Sequence, residues 1–271
     1  MKLVFVGGGN MATAMIGGLL QCRYARDDIG VVEVDADARH RLTARFGVHA
    51  DAAADVSARQ SQVVVLAVKP QQLRKVAEDL QPLLAQQLVI SIAAGIRTDD
   101  LARWLRGYTR IVRVMPNTPA LVSAGISALY AMPAVTAAER QTAESLLQAV
   151  GSTLWVQDEG LMDAVTALSG SGPAYVFYFM EALEQAGREL GLAAEDARRL
   201  SVETFVGASK LAGAGGEDPA VLRARVTSKG GTTERALLGM QSADLKQRIV
   251  DAVKLAAARS RELGEELGRA D

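Results

Sequence analysis

The sequence predicts an α/β fold, a doubly wound sheet, followed by an all-helical segment, and three observations carry that prediction. Between Leu3 and Val156, short aliphatic runs alternate with amphipathic stretches. A glycine-rich turn follows the first run at once. After Asp158 the aliphatic runs cease and helical patterns follow one another to the end of the chain.

Leu3 to Val6 reads as a buried strand, Val31 to Val34 as a second and Val63 to Val68 as a third. Leu88 to Ile92 and Ile111 to Val114 continue the series, and all are continuous runs of the kind parallel strands show when helices cover both faces. Helical patterns over Met11 to Leu20, Ala38 to Phe46 and Gln71 to Leu84 lie between them. Ser127 to Tyr130, a helix over Ala137 to Val150 and a strand at Thr153 to Val156 complete a first domain, residues 1–158. The remainder, residues 159–271, is helical and punctuated by Gly170-Ser171-Gly172-Pro173, Gly213 to Pro219 and Lys229-Gly230-Gly231. Pro173 and Pro219 suit first helical turns. The last helix is predicted over Asp244 to Leu267.

Composition narrows the function. Thirty basic residues against thirty-one acidic ones offer no broad attraction for nucleic acid or membrane. The single cysteine, Cys22, excludes an intramolecular disulfide, and two histidines, His40 and His49, are too few soft ligands for a zinc site, so no metal is expected. There is no signal-peptide pattern and no run of roughly 18 to 20 apolar residues, so a soluble cytoplasmic protein is expected.

Gly7-Gly8-Gly9-Asn10-Met11-Ala12 matches G-x-G-x-x-A between a strand and a helix. The first glycine allows the tight turn, the second leaves the backbone open to a pyrophosphate, and the small Ala12 allows close helix–strand packing. Phosphate charge is favoured at the helix N-terminus. The first domain therefore reads as a Rossmann-type NAD(P)-binding domain. After the second strand, Asp35 stands where a carboxylate can accept from ribose hydroxyls and repel a 2′-phosphate, which favours NADH; it can equally be the N-cap of the next helix, a role open to Asp37 too. Three further loops fall at carboxyl ends of strands, where ligands of open sheets bind: Ala67-Val68-Lys69-Pro70, Ala93-Ala94-Gly95 and Met115-Pro116-Asn117-Thr118-Pro119. The small residues at 93 to 95 admit a flat ring, and Asn117 offers an amide to a nicotinamide.

These segments, with Ser91-Ile92 before Ala93 and Arg113-Val114 before Met115, resemble those of pyrroline-5-carboxylate reductase, as do Ser169-Gly170-Ser171-Gly172-Pro173-Ala174-Tyr175 and Val226-Thr227-Ser228-Lys229-Gly230-Gly231-Thr232-Thr233. The resemblance covers essentially the whole chain. It implies reduction of L-1-pyrroline-5-carboxylate to L-proline, the last step of proline biosynthesis, with NADPH or NADH as donor and dimers or larger rings joined through the helical domain. Two departures bear on the donor. Asp35 stands where NADPH-using relatives carry small polar and basic residues, and Ala52-Ala53-Ala54 occupies a stretch where several have asparagine.

A cyclic imine bearing a carboxylate requires an anion cradle and a polar donor near nitrogen. With the resemblance in hand, Ser228, Gly230, Gly231, Thr232 and Thr233 supply the cradle at a helix start, and the Thr233 hydroxyl the donor, against the alternative that a threonine only caps the helix. Ser171 and Gly172 form an opposite wall. A β-hydroxyacid-dehydrogenase-like oxidoreductase shares the layout but wants a lysine acid/base, and Lys210, Lys229, Lys246 and Lys254 stand in no such pattern. A non-catalytic NAD(P)-sensing protein is the remaining class.

Overall fold

The computed structural model describes residues 1–54 and 56–269; residues 270 and 271, at the end of the predicted helical domain, lie outside the described residues. The chain runs β1 (Leu3–Val6), α1 (Asn10–Gln21), β2 (Ile29–Val32), α2 (Ala36–Phe46), β3 (His49–Asp51), α3 (Val56–Gln60), β4 (Val63–Leu66), α4 (Pro70–Leu80), β5 (Leu88–Ser91), α5 (Thr98–Trp104) and β6 (Ile111–Met115). It continues with β7 (Gly125–Ala131), α6 (Ala137–Gln148), β8 (Gly151–Trp155), α7 (Met162–Val165), α8 (Gly172–Glu189), α9 (Ala194–Gly215), α10 (Pro219–Arg225), α11 (Thr232–Ser242) and α12 (Leu245–Arg269).

One eight-stranded sheet has the order β3-β2-β1-β4-β5-β6-β7-β8. The first six strands are parallel, in the doubly wound order with its switch point between β1 and β4. β7 runs antiparallel to β6, and β8 runs parallel to β7, so the predicted parallel series ends at β6. Alternate residues of each strand feed two cores. Phe5, Ile90 and Val114 pack with Met15 and Ile16 of α1 and Leu147 of α6 on one face. Val64, Leu66 and Val89 pack with Leu73 of α4 and Leu101 of α5 on the other. Burial on both faces is why these strands read as unbroken aliphatic runs.

Three differences from the expected elements have physical causes. β3 carries the residues His-Ala-Asp on the sheet edge, with no apolar run to announce it. β2 starts and ends two residues earlier than predicted: Val34 is 82 % exposed, because the chain leaves the sheet after Glu33 to enter α2. The third difference is the division of the chain. The compact unit holding the sheet runs past Asp158 to Ser171 and takes in residues from Ala256 onward, while Gly172–Leu255 form the second unit.

Side chains after Asp158 explain the later break. Met162 is buried with Ala128 and Val156. The Glu159 carboxylate accepts from the backbone N–H (2.7 Å) and hydroxyl (2.6 Å) of Thr98 at the start of α5 and pairs with buried Arg113 of β6 at 2.9 Å. The end of α12 is held by Ser260 donating to Asp163 at 2.7 Å and by Arg103 donating to the Gly268 carbonyl at 2.7 Å. Gly95, at φ +78°, presents the face where a Cβ would stand to Leu263, Gly264 and Leu267 of that helix.

The second unit contains helices only. α8 and α9 meet where Gly187 faces Ala197, and Ser201 donates to the Met180 carbonyl at 2.9 Å. Asp218 caps α10, whose first residue is Pro219, as the sequence predicts.

Candidate active site

The glycine turn leaves β1 at the switch point and opens α1. Gly7 adopts φ +100°, and a Cβ there would lie 2.7 Å from the Ala67 carbonyl oxygen, so only glycine lets β1 turn this close to β4. Gly9 is the N-cap of α1 and provides no side-chain cap, and a Cβ on it would meet nothing within 4 Å. The first N–H groups of a helix have no partner inside it, so those of Asn10, Met11 and Ala12 face an open cradle that fits a pyrophosphate. The Met11 and Ala12 side chains turn the other way, into the core, and Ala12 is fully buried there.

A cleft of about 1740 Å³ extends from this turn along the carboxyl ends of β1, β2 and β4. Gly7, Gly8, Gly9, Asn10, Asp35, Ala67, Val68 and Lys69 all line it, together with Ala52, Ala53 and Ala54. Pro70 is the first residue of α4 after Lys69, its N-cap. Ala93, Ala94, Gly95 and Asn117 are not in its lining.

Two carboxylates mark the cleft beyond β2. Asp35 accepts from the Ala38 N–H at 2.6 Å and is the N-cap of α2, one of the two roles the sequence left open, and it also lines the cleft. Glu33, which sequence reasoning passed over, accepts from the Gly8 N–H at 2.8 Å and the Asp35 N–H at 2.9 Å. The signal for it was β2's true end: once the strand stops at Val32, Glu33 is the residue that follows it.

The other two loops do more holding than opening. The free face of Gly95 is filled by α12 rather than left for a flat ring. Asn117 has its amide engaged on both sides: Oδ1 accepts from the Ile126 N–H at 3.0 Å and Nδ2 donates to the Ser169 carbonyl at 3.3 Å. It ties the loop after β6 to β7 and to a π-helical turn over Thr166–Gly170. That turn leads into Ser171, whose N–H donates to the Thr166 carbonyl at 2.8 Å. In the second unit, Gly172 opens α8, and a Cβ on it would meet nothing within 4 Å.

Also within the second unit, the start of α11 differs from a threonine-capped helix. Gly231 is the N-cap and offers no side-chain bond, so Thr232 and Thr233 are the first two helical residues and neither is the cap. The Gly230 N–H donates to Glu234 at 2.7 Å and the Gly231 N–H to the Ser228 carbonyl at 3.0 Å. Those bonds fix the turn, with Gly230 at φ +75°, and leave the N–H groups of Thr232 and Thr233 as donors for an anion. The Thr233 hydroxyl has no hydrogen-bond partner among the described residues.

Comparison with known proteins agrees with this layout. The family model described as pyrroline-5-carboxylate reductase dimerisation matches residues 159–263, and one described as NADP oxidoreductase coenzyme F420-dependent matches residues 2–95. The chain is 43 % identical to a pyrroline-5-carboxylate reductase of Pseudomonas aeruginosa over 99 % of its own length and 98 % of that protein. This chain belongs to the pyrroline-5-carboxylate reductase family. The structure of a member from Coxiella burnetii, 40 % identical, superposes with a TM-score of 0.92 over 97 % of this chain and 98 % of that one. A pyrroline carboxylate reductase of Plasmodium falciparum, solved with NADP bound, is 27 % identical with a TM-score of 0.87 over 97 % of this chain and 98 % of that one. The fold class and the Rossmann-type reading of the first domain accordingly stand, and the chain is an NAD(P)-dependent oxidoreductase. No helix among the described residues is long and apolar enough to cross a membrane.

Proposed function

We propose that this chain reduces L-1-pyrroline-5-carboxylate to L-proline with NADH or NADPH. When bound, the nicotinamide supplies a hydride to the imine carbon. The chain's own residues hold and orient. The N–H groups at the start of α1 hold the pyrophosphate, and Glu33 gives the adenosine end of the cleft a negative character that favours NADH.

The observation that carries the substrate assignment is the start of α11, a helix N-terminus with no side-chain cap whose second residue presents a free hydroxyl. The Thr232 and Thr233 N–H groups receive the substrate carboxylate, with Ser228, Gly230 and Gly231 shaping the approach. The Thr233 hydroxyl donates to the ring nitrogen, which takes up a proton as the adjacent carbon takes up hydride. Ser171 and Gly172 are proposed as further substrate contacts, and the segment 159–271 as the region through which copies of the chain associate. Orientation supplies much of the rate, because hydride transfer needs donor and acceptor carbons aligned at contact distance.

The direct test follows nucleotide oxidation with L-1-pyrroline-5-carboxylate, separately for NADH and NADPH, with 3-hydroxy acids as the control. Turnover of the imine and not of the hydroxy acids is expected; oxidation of neither nucleotide would end the proposal. Thr233→Val tests the proton donor. Losing a hydrogen bond to a partly charged group costs about 1.5 to 3 kcal/mol, so turnover should fall roughly ten- to a hundredfold. Nucleotide affinity and melting temperature should stay close to wild type, because Gly231 and not Thr233 caps the helix. Full turnover in the valine variant would remove Thr233 from the chemistry.

A further inference from the structure

We propose that Glu33 is the residue that discriminates NADH from NADPH in this chain, and that Asp35 is not. The inference rests on the cleft after β1, β2 and β4 being the NAD(P)H site, and it turns on which donors remain free around the β2–α2 turn. A 2′-phosphate needs N–H groups or a cation at this turn. The Gly8 and Asp35 N–H groups already donate to the two oxygens of Glu33, at 2.8 and 2.9 Å. The Ala38 N–H donates to Asp35 at 2.6 Å. Arg39, the one guanidinium bonded to the turn among the described residues, donates to the Glu33 and Val34 carbonyls at 2.6 and 2.9 Å and so pins the turn. Val34, exposed at the tip, has an apolar side chain that offers a phosphate nothing.

The Ala36 and Asp37 N–H groups at the start of α2 have no competing acceptor among the described residues, so discrimination at this turn falls to the charge of Glu33, which sits beside it and favours a hydroxyl. Each Glu33 oxygen accepts one hydrogen bond and retains capacity for another, so a ribose 2′-hydroxyl can donate to it where a 2′-phosphate would meet its charge. Asp35 is also negative, but its carboxylate is engaged in capping α2. The opposing influence comes from Arg41 and Arg45 of α2, which also line the cleft and could draw a phosphate past the turn.

Binding decides the matter without turnover. NADH and NADPH are titrated against the intact protein by nucleotide fluorescence, and ADP-ribose and its 2′-phosphate by calorimetry, for wild type, Glu33→Ala, Asp35→Ala and Arg41→Ala. Wild type should prefer NADH and ADP-ribose. Glu33→Ala, which frees the Gly8 and Asp35 N–H groups, should shift the ratio towards the phosphorylated ligands by about tenfold or more, the size of a lost charge-assisted bond. Asp35→Ala should leave the ratio within about twofold while lowering the melting temperature, as loss of a cap does. A wild-type preference for the 2′-phosphorylated ligands, an unchanged ratio in Glu33→Ala, or a ratio governed by Arg41 alone would each overturn the proposal. The wild-type titrations keep it falsifiable even where Glu33→Ala does not fold. Failure of wild type to bind any of the four ligands would instead remove the cleft assignment on which it rests.

Discussion

A Cβ on Gly7 would stand 2.7 Å from the Ala67 carbonyl oxygen, whereas one on Gly9 would meet nothing within 4 Å. The two glycines of one motif thus answer to different demands: Gly7 to the fold, Gly9 to a ligand. Gly9→Val should keep the melting temperature near wild type, since Gly9 has an extended conformation any residue adopts, yet lower NAD(P)H affinity at least about tenfold by filling the pyrophosphate path. Gly7→Ala should cost more than about 1 kcal/mol of stability, from its positive φ and the clash with the carbonyl. Thermal denaturation and nucleotide titration on both variants check this, and equal stability losses would erase the distinction. At this scale the sequence made the motif legible because glycines at fixed spacing have few other uses. It did not separate Glu33 from Asp35, because both carboxylates flank a strand end that moved when Val34 proved to lie outside β2. In the sequence Gly95 and Asn117 read as cofactor contacts, because the neighbours that engage them in the fold, α12 and the turn at Ser169, are distant along the chain.

Carboxylates fix the ends of several elements, α2, α5, α6 and α10 among them. Glu159 does for α5 what no residue of α5 itself does, accepting from Thr98 across 61 positions of sequence, and such a cap cannot be read locally. The start of α6 is the local counterpart. Thr136 and Glu139 form a reciprocal capping box, and Glu139 also pairs with Arg110 at 2.6 Å. Burial alone would raise the Glu139 carboxyl; hydrogen bonds from the Thr136 N–H and hydroxyl and from Arg110 outweigh it and hold the group below the ordinary 4.5. Because the folded value is the lower one, the stabilisation is fully present above the unfolded value and is lost as pH falls through the folded one. Glu139→Gln keeps the capping box but removes the charge paired with Arg110, so it should lower the melting temperature at neutral pH by the equivalent of up to about 1 kcal/mol. Wild type and variant should converge in acid below both values. Parallel melting curves with a constant gap across the acid range would contradict the assignment. The strands show the same contrast between local and distant information. Central ones were readable from their own aliphatic runs, while β3, a three-residue edge strand, is defined by its pairing with β2.

For the whole molecule the informative quantity is what the second unit leaves uncovered. Ala197 and Ser201 are the only buried residues between Gly172 and Leu255. Tyr178 is 73 % exposed and Leu211 58 %, and Phe177, Leu200 and Leu238 are exposed as well. A helical unit of this size with so little covered cannot offset its conformational entropy alone, and covering one such side chain contributes about 1.5 to 3 kcal/mol. The sequence showed the amphipathic helices, but not that their apolar faces lack a partner within the chain, which only packing reveals. The dimerisation family model matches this region, and association of copies through it is the proposed source of the missing cover. Light scattering at micromolar concentration should accordingly give at least twice the 28.7 kDa chain mass. Placing a charge among these side chains, as in Phe177→Glu with Leu211→Glu, should shift the mass towards one chain, because a carboxylate buried without a counter-charge is expelled to water at the expense of the contact. The same double variant should lose melting temperature in its helical signal while still binding NAD(P)H, since the cleft lies wholly in the first unit. A wild-type chain that is monomeric at micromolar concentration and still melts cooperatively at ordinary temperatures would show that these faces are tolerated in water, and the association reading would fall with it.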